Sequence, residues 1–224
     1  MAIHFFVPKL SVLVLPLALA CALTAQAQYR DLSERALDRV EEQHGEEAKQ
    51  RVSQWRTLLR RQGLAQSFTD SEQLSQANDF FNLVEWVSDL EHWGREDYWA
   101  TPIETLATNG GDCEDFSIGK YFSLKEVGVR SDRLRISYVK SLEYNQAHMV
   151  LAYYSSPGAE PLILDNINKT ILPASQRPDL LPIYSFNGDS LWLAKSRGKK
   201  ISTKNGLALP QWQGLAERME QETQ

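Results

Sequence analysis

The sequence predicts an α+β domain, with helices first and an antiparallel sheet after them. Three observations predict it. Apolar residues recur at helical spacing through residues 30–62 and 72–94. From residue 133 onward, short alternating or apolar runs end in turn residues. Between the halves, Gly110–Gly111 breaks the pattern just before one more helical stretch.

The elements follow in order. Residues 30–62 read as a charged helical segment with Val52, Trp55 and Leu58/Leu59 on one side, punctuated by Gly45 and Gly63. Residues 72–94 read as a second amphipathic helix. There Leu83, Val87, Leu90 and Trp93 share a face, with Phe80 and Val84 nearby, and this stripe is expected in the core. The stretch WATPIETLATNGG interrupts periodicity, with Pro102 early and two glycines at its end. CEDFSIGKYFSLKEVG then returns to helical spacing through Ile118, Tyr121, Phe122 and Lys125 and closes at Gly128, which places Asp112 or Cys113 at a helix start. RLRISYVK alternates, AHMVLAYYS and PLILDN are short apolar runs, and IYSFNGDSLWLA reads as a hairpin across Asn187–Gly188. The basic stretch KSRGKKISTK, with Lys195, Arg197, Lys199, Lys200 and Lys204, is expected to be a solvated loop, an acidic partner being the other reading. No internal repeat or low-complexity tract stands out.

Residues 1–27 have the form of a secretory leader: Lys9, an apolar run too short for the roughly 20 residues of a membrane span, then Ala25 and Ala27 at small-x-small spacing. Cleavage is expected after Ala27. Cys21 raises a lipoprotein leader, but Ala18 stands three residues before it where such leaders carry leucine, so a plain leader is favoured. Residues 28–224 then form one domain with a real core and no membrane insertion. Its formal charge moves from −5 to −6, Lys9 being the only charged residue lost. Mild acidity argues against nucleic acid as a partner.

Cys113 is the one cysteine left after residue 27, so it forms no internal disulfide. It sits against Asp112, Glu114 and Asp115, whose negative charge opposes thiolate formation. An inert thiol, a metal ligand and a nucleophile are the three readings. A nucleophile needs a base and a group to orient it. His44 and His92 lie on polar helical stretches, whereas His148 opens a strand 35 residues after Cys113, and the next strand ends at Asp165, 17 residues further on. Adjacent antiparallel strands bring a carboxylate beside an imidazole. A helix N-terminus stabilises a thiolate through its free N–H groups and dipole. Cys113, His148 and Asp165 are therefore the candidate catalytic set.

GGDCEDFSIGKYFSLKEVGV, AHMVLAYY and LILDN, with the upstream YWATPIETL, closely resemble the bacterial transglutaminase-like cysteine proteinases, and within them the periplasmic adhesin proteases. The resemblance runs from about Trp86 to Asp165 and more loosely over most of the chain; the cysteine motif is its specific part. It implies a papain-related, transglutaminase-like fold, with Cys113 as nucleophile, His148 as base and Asp165 as orienting acid. It also implies cleavage of a large surface biofilm adhesin near its N-terminus, after a pair of alanines. A calcium requirement follows from it too, as does sequestration by the periplasmic domain of an inner-membrane receptor that senses cyclic di-GMP. Asp112, Glu114 and Asp115 supply oxygen ligands of the kind Ca²⁺ takes, without filling its six to eight positions. The resemblance supports Asp112 and Glu114 more than Asp115. All three would also serve as a helix cap and acidic first turn. A receptor would need an aromatic or apolar pocket, and Trp93, Tyr98 and Trp99 precede the loop, although core packing is the commoner role for each. Two other functions use the same residues: an acyl-transferring transglutaminase, and a calcium-dependent binding module without catalysis.

Overall fold

The computed structural model describes residues 29–64, 68–188, 190–194, 199–201 and 209–223. The expected leader, and Lys195, Arg197 and Lys204 of the basic stretch, lie outside them. Helices α1 (Glu34–His44), α2 (Glu46–Leu64), α3 (Asp70–Phe81), α4 (Asp89–Trp93), α5 (Pro102–Thr108) and α6 (Cys113–Glu126) come first, with a two-residue parallel pairing of β1 (Glu85–Trp86) and β2 (Gly110–Gly111) among them. The sheet follows: β3 (Leu134–Ser141), β4 (Gln146–Tyr153), β5 (Leu162–Leu164), β6 (Leu172–Pro173), β7 (Leu180–Asn187), β8 (Ser190–Leu193) and β9 (Lys199–Ile201). Its spatial order is β6-β5-β4-β3-β7-β8-β9, every described pairing antiparallel. Helix α7 (Pro210–Thr223) ends the chain.

Helix α6 is the hub. Residues Glu114 to Tyr121, with Ser123 and Leu124, are all buried, so the helix is enclosed on every side rather than on one face. Leu134, Ile136, Met149 and Leu151 alternate along β3 and β4 into the core that α6 completes. On its other sides, Trp55 of α2 donates its indole N–H to Ser123 Oγ at 2.8 Å. Phe81 of α3 crosses so closely over Gly119 that a Cβ there would lie 2.1 Å from the ring. Trp212 of α7 stacks on Phe122 with ring centroids 5.7 Å apart.

The structure departs from the sequence expectations in three places. The helix expected over 72–94 ends at Phe81, and the chain runs through β1 before α4. Pairing Glu85 and Trp86 with the two glycines overrides the helical period. Leu83 and Leu90 are in consequence 80% and 65% exposed, not core. The interruption expected at WATPIETL is helix α5, started by Pro102 at its first position and a capping box in which Thr101 and Glu104 bond each other's backbone N–H groups. Within the basic stretch, Lys199–Ile201 is strand β9, not loop. The hairpin at Asn187–Gly188 is present as β7–β8.

Candidate active site

Cys113 is the first residue of α6, and Asp112 is its cap. Asp115 holds this turn from within: its Oδ2 accepts the Asp112 N–H at 3.2 Å and its Oδ1 the Ala100 N–H at 2.7 Å. The glycines before it are sterically required. A Cβ on Gly111 would lie 2.7 Å from Asp115 Oδ2, and one on Gly110 the same distance from the His92 ring. His92 itself is tied to Thr108 Oγ1 at 2.8 Å, a structural role.

Strand pairing supplies the other two residues. Leu151 pairs with Leu164, so His148 on β4 and Asp165 just past β5 come together. His148 Nε2 is 2.8 Å from Asp165 Oδ1, and both side chains are buried. Asp165 Oδ1 also accepts the Ile167 N–H at 3.0 Å, and Oδ2 accepts Arg177 Nη2 at 2.7 Å. An ionised carboxylate only accepts, so Nε2 carries the proton towards Asp165 and Nδ1 of His148 is the ring's remaining acceptor. Burial alone would raise the Asp165 pKa, but the bonds from His148, Ile167 and Arg177 hold it well below the usual carboxylate range. Beneath it, Asn82 Nδ2 donates to the Asp165 carbonyl at 3.0 Å, and Lys120 Nζ donates to Asn82 Oδ1 at 2.8 Å.

Cys113 and His148 share one cleft of about 430 Å³ with Trp86, Tyr144, Gln146 and Ile167. Trp86, Tyr144 and Ile167 are exposed apolar side chains on its rim. The thiol donates to Glu114 Oε2 at 3.1 Å. Burial first, then the charges of Glu114 and Asp112, push its pKa well up, while the Met149 N–H pulls it down.

The three acidic neighbours belong to a larger cluster. Oxygens of Asp89, Asp112 and Asp115 lie within 4.8 Å of one another, as do those of Asp89, Asp97 and Glu114, and the ligand atoms of Asp112, Cys113 and Glu114. Asp89 Oδ1 and Asp112 Oδ1 are buried without a hydrogen-bond partner. Burial, then the charge of Asp112, raises Asp89 to about 6; burial, then Glu114, raises Asp112 to about 9. Burial also raises Glu114 and, with Asp112, Asp115. Buried carboxylate oxygens without donors, packed against like charge, fit a hard divalent cation. Asp115 is the most firmly committed of the set, buried with a backbone N–H on each oxygen; Asp97 is exposed, and its oxygens take the side-chain donors of Trp99 and Gln211.

Trp99 is core, stacked on Phe186 at 5.4 Å, and Tyr98 donates to Glu104 at 2.8 Å. Trp93 is half-buried against Tyr98. Sequence reasoning missed Asp89, Asp97, Asn82, Lys120 and Arg177. None stands at a spacing that points to Cys113; they meet it only through the fold.

The chain belongs to the bacterial transglutaminase-like cysteine proteinases, whose family profile matches residues 46–185. Among solved structures it is similar to LapG of Legionella pneumophila. The EGTA-treated form is 42% identical, with TM-score 0.72 over 83% of this chain and 96% of that one. The calcium-bound form is 41% identical, with TM-score 0.71 over 84% of this chain and 99% of that one. No match was found among curated proteins. Among the described residues, no helix is long and apolar enough to cross a membrane.

Proposed function

We propose that this chain is a calcium-dependent endopeptidase using Cys113, His148 and Asp165, and that it releases a large surface adhesin by cutting near its N-terminus after two alanines. The observation that carries the catalytic reading is the cleft that holds the Cys113 thiol and the His148 ring, with Nε2 of that ring already committed to Asp165. His148 Nδ1 takes the thiol proton and the thiolate attacks the scissile carbonyl carbon. The backbone N–H of Cys113, at the start of α6, faces the oxyanion. The C–N bond breaks as Nδ1 returns the proton to the leaving amine, leaving a thioester. Water, deprotonated by the same nitrogen, then releases the acid and regenerates the thiol. Asp165 stabilises the imidazolium throughout, and the apolar rim of Trp86, Tyr144 and Ile167 suits an extended peptide.

Asp89, Asp97, Asp112 and Glu114 would hold the calcium, with Asp115 ordering the turn. When bound, the cation neutralises the charge that otherwise opposes the Cys113 thiolate. Ca²⁺ in this role is supported by the unpaired buried oxygens of Asp89 and Asp112 and by the calcium-bound relative. Export to the periplasm is supported by the leader pattern of residues 1–27. The adhesin substrate and control by a cyclic di-GMP receptor rest on the motif resemblance.

The test incubates purified protein with an adhesin N-terminal fragment containing the dialanine site and follows fragment masses with Ca²⁺, with a chelator, and with Cys113→Ala. Two discrete products that need both Ca²⁺ and Cys113 support the calcium-dependent endopeptidase. Cleavage that ignores the chelator retains the triad and removes the calcium role. Amine-labelled product in place of two fragments makes the chain an acyltransferase.

A further inference from the structure

On the sheet face away from α6, Val139, Val150, Ala152 and Ile163 form a second apolar cluster, separate from the main core. Above it lies a groove of about 220 Å³ bounded by β3, β4, β5, β7 and β8. Among the described residues, two arginines and no acidic residue line it. The Arg135 guanidinium is sandwiched between Tyr154 and Trp192, 4.3 and 4.1 Å from their ring centroids. Its Nε is buried without a partner, and among the described residues the side chain forms no ion pair. Arg177 is 4% exposed; it spends Nη2 and Nε on Asp165 and Asp179, while Nη1 is also buried without a partner.

Two unpaired buried guanidinium N–H groups over an apolar floor are costly unless something accepts from them. The chemistry that satisfies both is a carboxylate attached to an apolar body. The volume falls below the roughly 300–1,000 Å³ of sites that enclose a whole drug-sized ligand, and suits a few side chains of a longer segment.

We propose that this groove docks an extended peptide segment of a partner protein, placing apolar side chains on Val139, Val150 and Ile163 and a glutamate or aspartate carboxylate between Arg135 and Arg177. It shares no lining residue with the cleft of Cys113, and the proposal does not depend on which substrate that cleft cuts. It is nonetheless wired to the cleft, because Arg177, which lines the groove, also donates to Asp165.

The probe is a pool of acetylated hexapeptide amides with a central glutamate flanked by Leu, Ile, Val or Phe, and the same pool with glutamine. Binding to ¹⁵N-labelled Cys113→Ala protein is read from the amides of Val150 and Ala152 and the Trp192 indole. The expected result is saturable shifts with the glutamate pool, at least about tenfold weaker with glutamine, the size of one lost charge-assisted bond. Arg135→Gln should abolish that preference and Arg135→Lys should restore part of it. Equal shifts from both pools, or none, overturn the proposal, and this comparison stands on the unsubstituted groove should Arg135→Gln fail to fold. Shifts from decanoate with none from either peptide pool would assign the groove to a small carboxylate and overturn the peptide occupant.

Discussion

Asp89→Asn should stabilise the protein without calcium and lose most of that advantage, or all of it, with calcium bound. Asp89 is 3% exposed, its Oδ1 has no donor, and burial with the nearby Asp112 charge raises it to about 6. A carboxylate raised from 3.8 to about 6 binds its proton more tightly when folded. Stability is therefore lost as pH climbs from the unfolded value through the folded one, and above pH 7 the penalty is at most about 3 kcal/mol. In chelator at pH 8, Asn removes that charge and still accepts the Tyr98 N–H, so the variant should gain roughly 1–3 kcal/mol, or about 2–12 °C at roughly 2–4 °C per kcal/mol for this size. At pH 5 in chelator the gain should fall to about half, because that pH lies midway between the unfolded value of 3.8 and the folded value of about 6. With Ca²⁺ at about 100 times its Kd, the parent should gain about 2.7 kcal/mol, or about 5–10 °C, and the variant, short of one ligand, clearly less. Thermal unfolding by near-UV circular dichroism in four conditions (two pH values, with Ca²⁺ or EGTA) measures all of this. A variant equally destabilised in every condition would refute the reasoning and make Asp89 an ordinary helix-start residue.

Three further outcomes follow from the buried groups around Asp165 and from the packing of α6. Arg177→Met breaks a buried ion pair to Asp165, which typically costs about 3–5 kcal/mol; kcat should fall at least about tenfold with KM little changed, and parent kcat alongside a lowered Tm would leave Arg177 a purely structural role. Lys120 is buried and its pKa is lowered to about 7, chiefly by burial, so wild-type stability should rise as pH increases from 7 toward 10.5. Lys120→Met should be more stable than the parent at pH 6 by roughly 2–4 kcal/mol, after deducting the unbonded Asn82 Oδ1, and the advantage should be gone by pH 10 in urea titrations. Gly119→Ala puts a Cβ 2.1 Å from Phe81, itself edge-on to Trp55. Overpacking should outweigh the helix-propensity gain by about 1–2 kcal/mol, and Phe81→Leu in the same chain should recover most of it; an unaltered Tm would show that the two helices yield freely.

What the sequence revealed and what it concealed divide along physical lines. The start of α6 is legible because a cap, an acidic first turn and a glycine pair are local signals, all within residues 110–115. His148 and Asp165 could be paired because consecutive strands usually neighbour each other, as β4 and β5 do. Helix α5 was also legible, through Thr101, Pro102 and Glu104, though the adjacent glycines drew the reading toward an interruption. Leu83 and Leu90 misled because a helical period says nothing about a two-residue pairing with a segment 25 residues away. Asp89 and Arg177 carry no signal at all in one dimension. An aspartate in the first turn of α4 is accounted for by the helix dipole, and an arginine two residues before Asp179 by a turn ion pair.

The burial of α6 on all sides has a consequence for how such a molecule is switched. Among the described elements, the sulfur rides on the one that the sheet, α2, α3 and α7 all grip, so shifting that helix by even a fraction of a turn would unpack the interior. Control that moves Cys113 by displacing α6 would thus unpack the core along with it. Whatever silences this molecule reversibly has to work at its periphery, by blocking the entrance, by altering the charge around the sulfur, or by loosening the grip on the imidazole from behind.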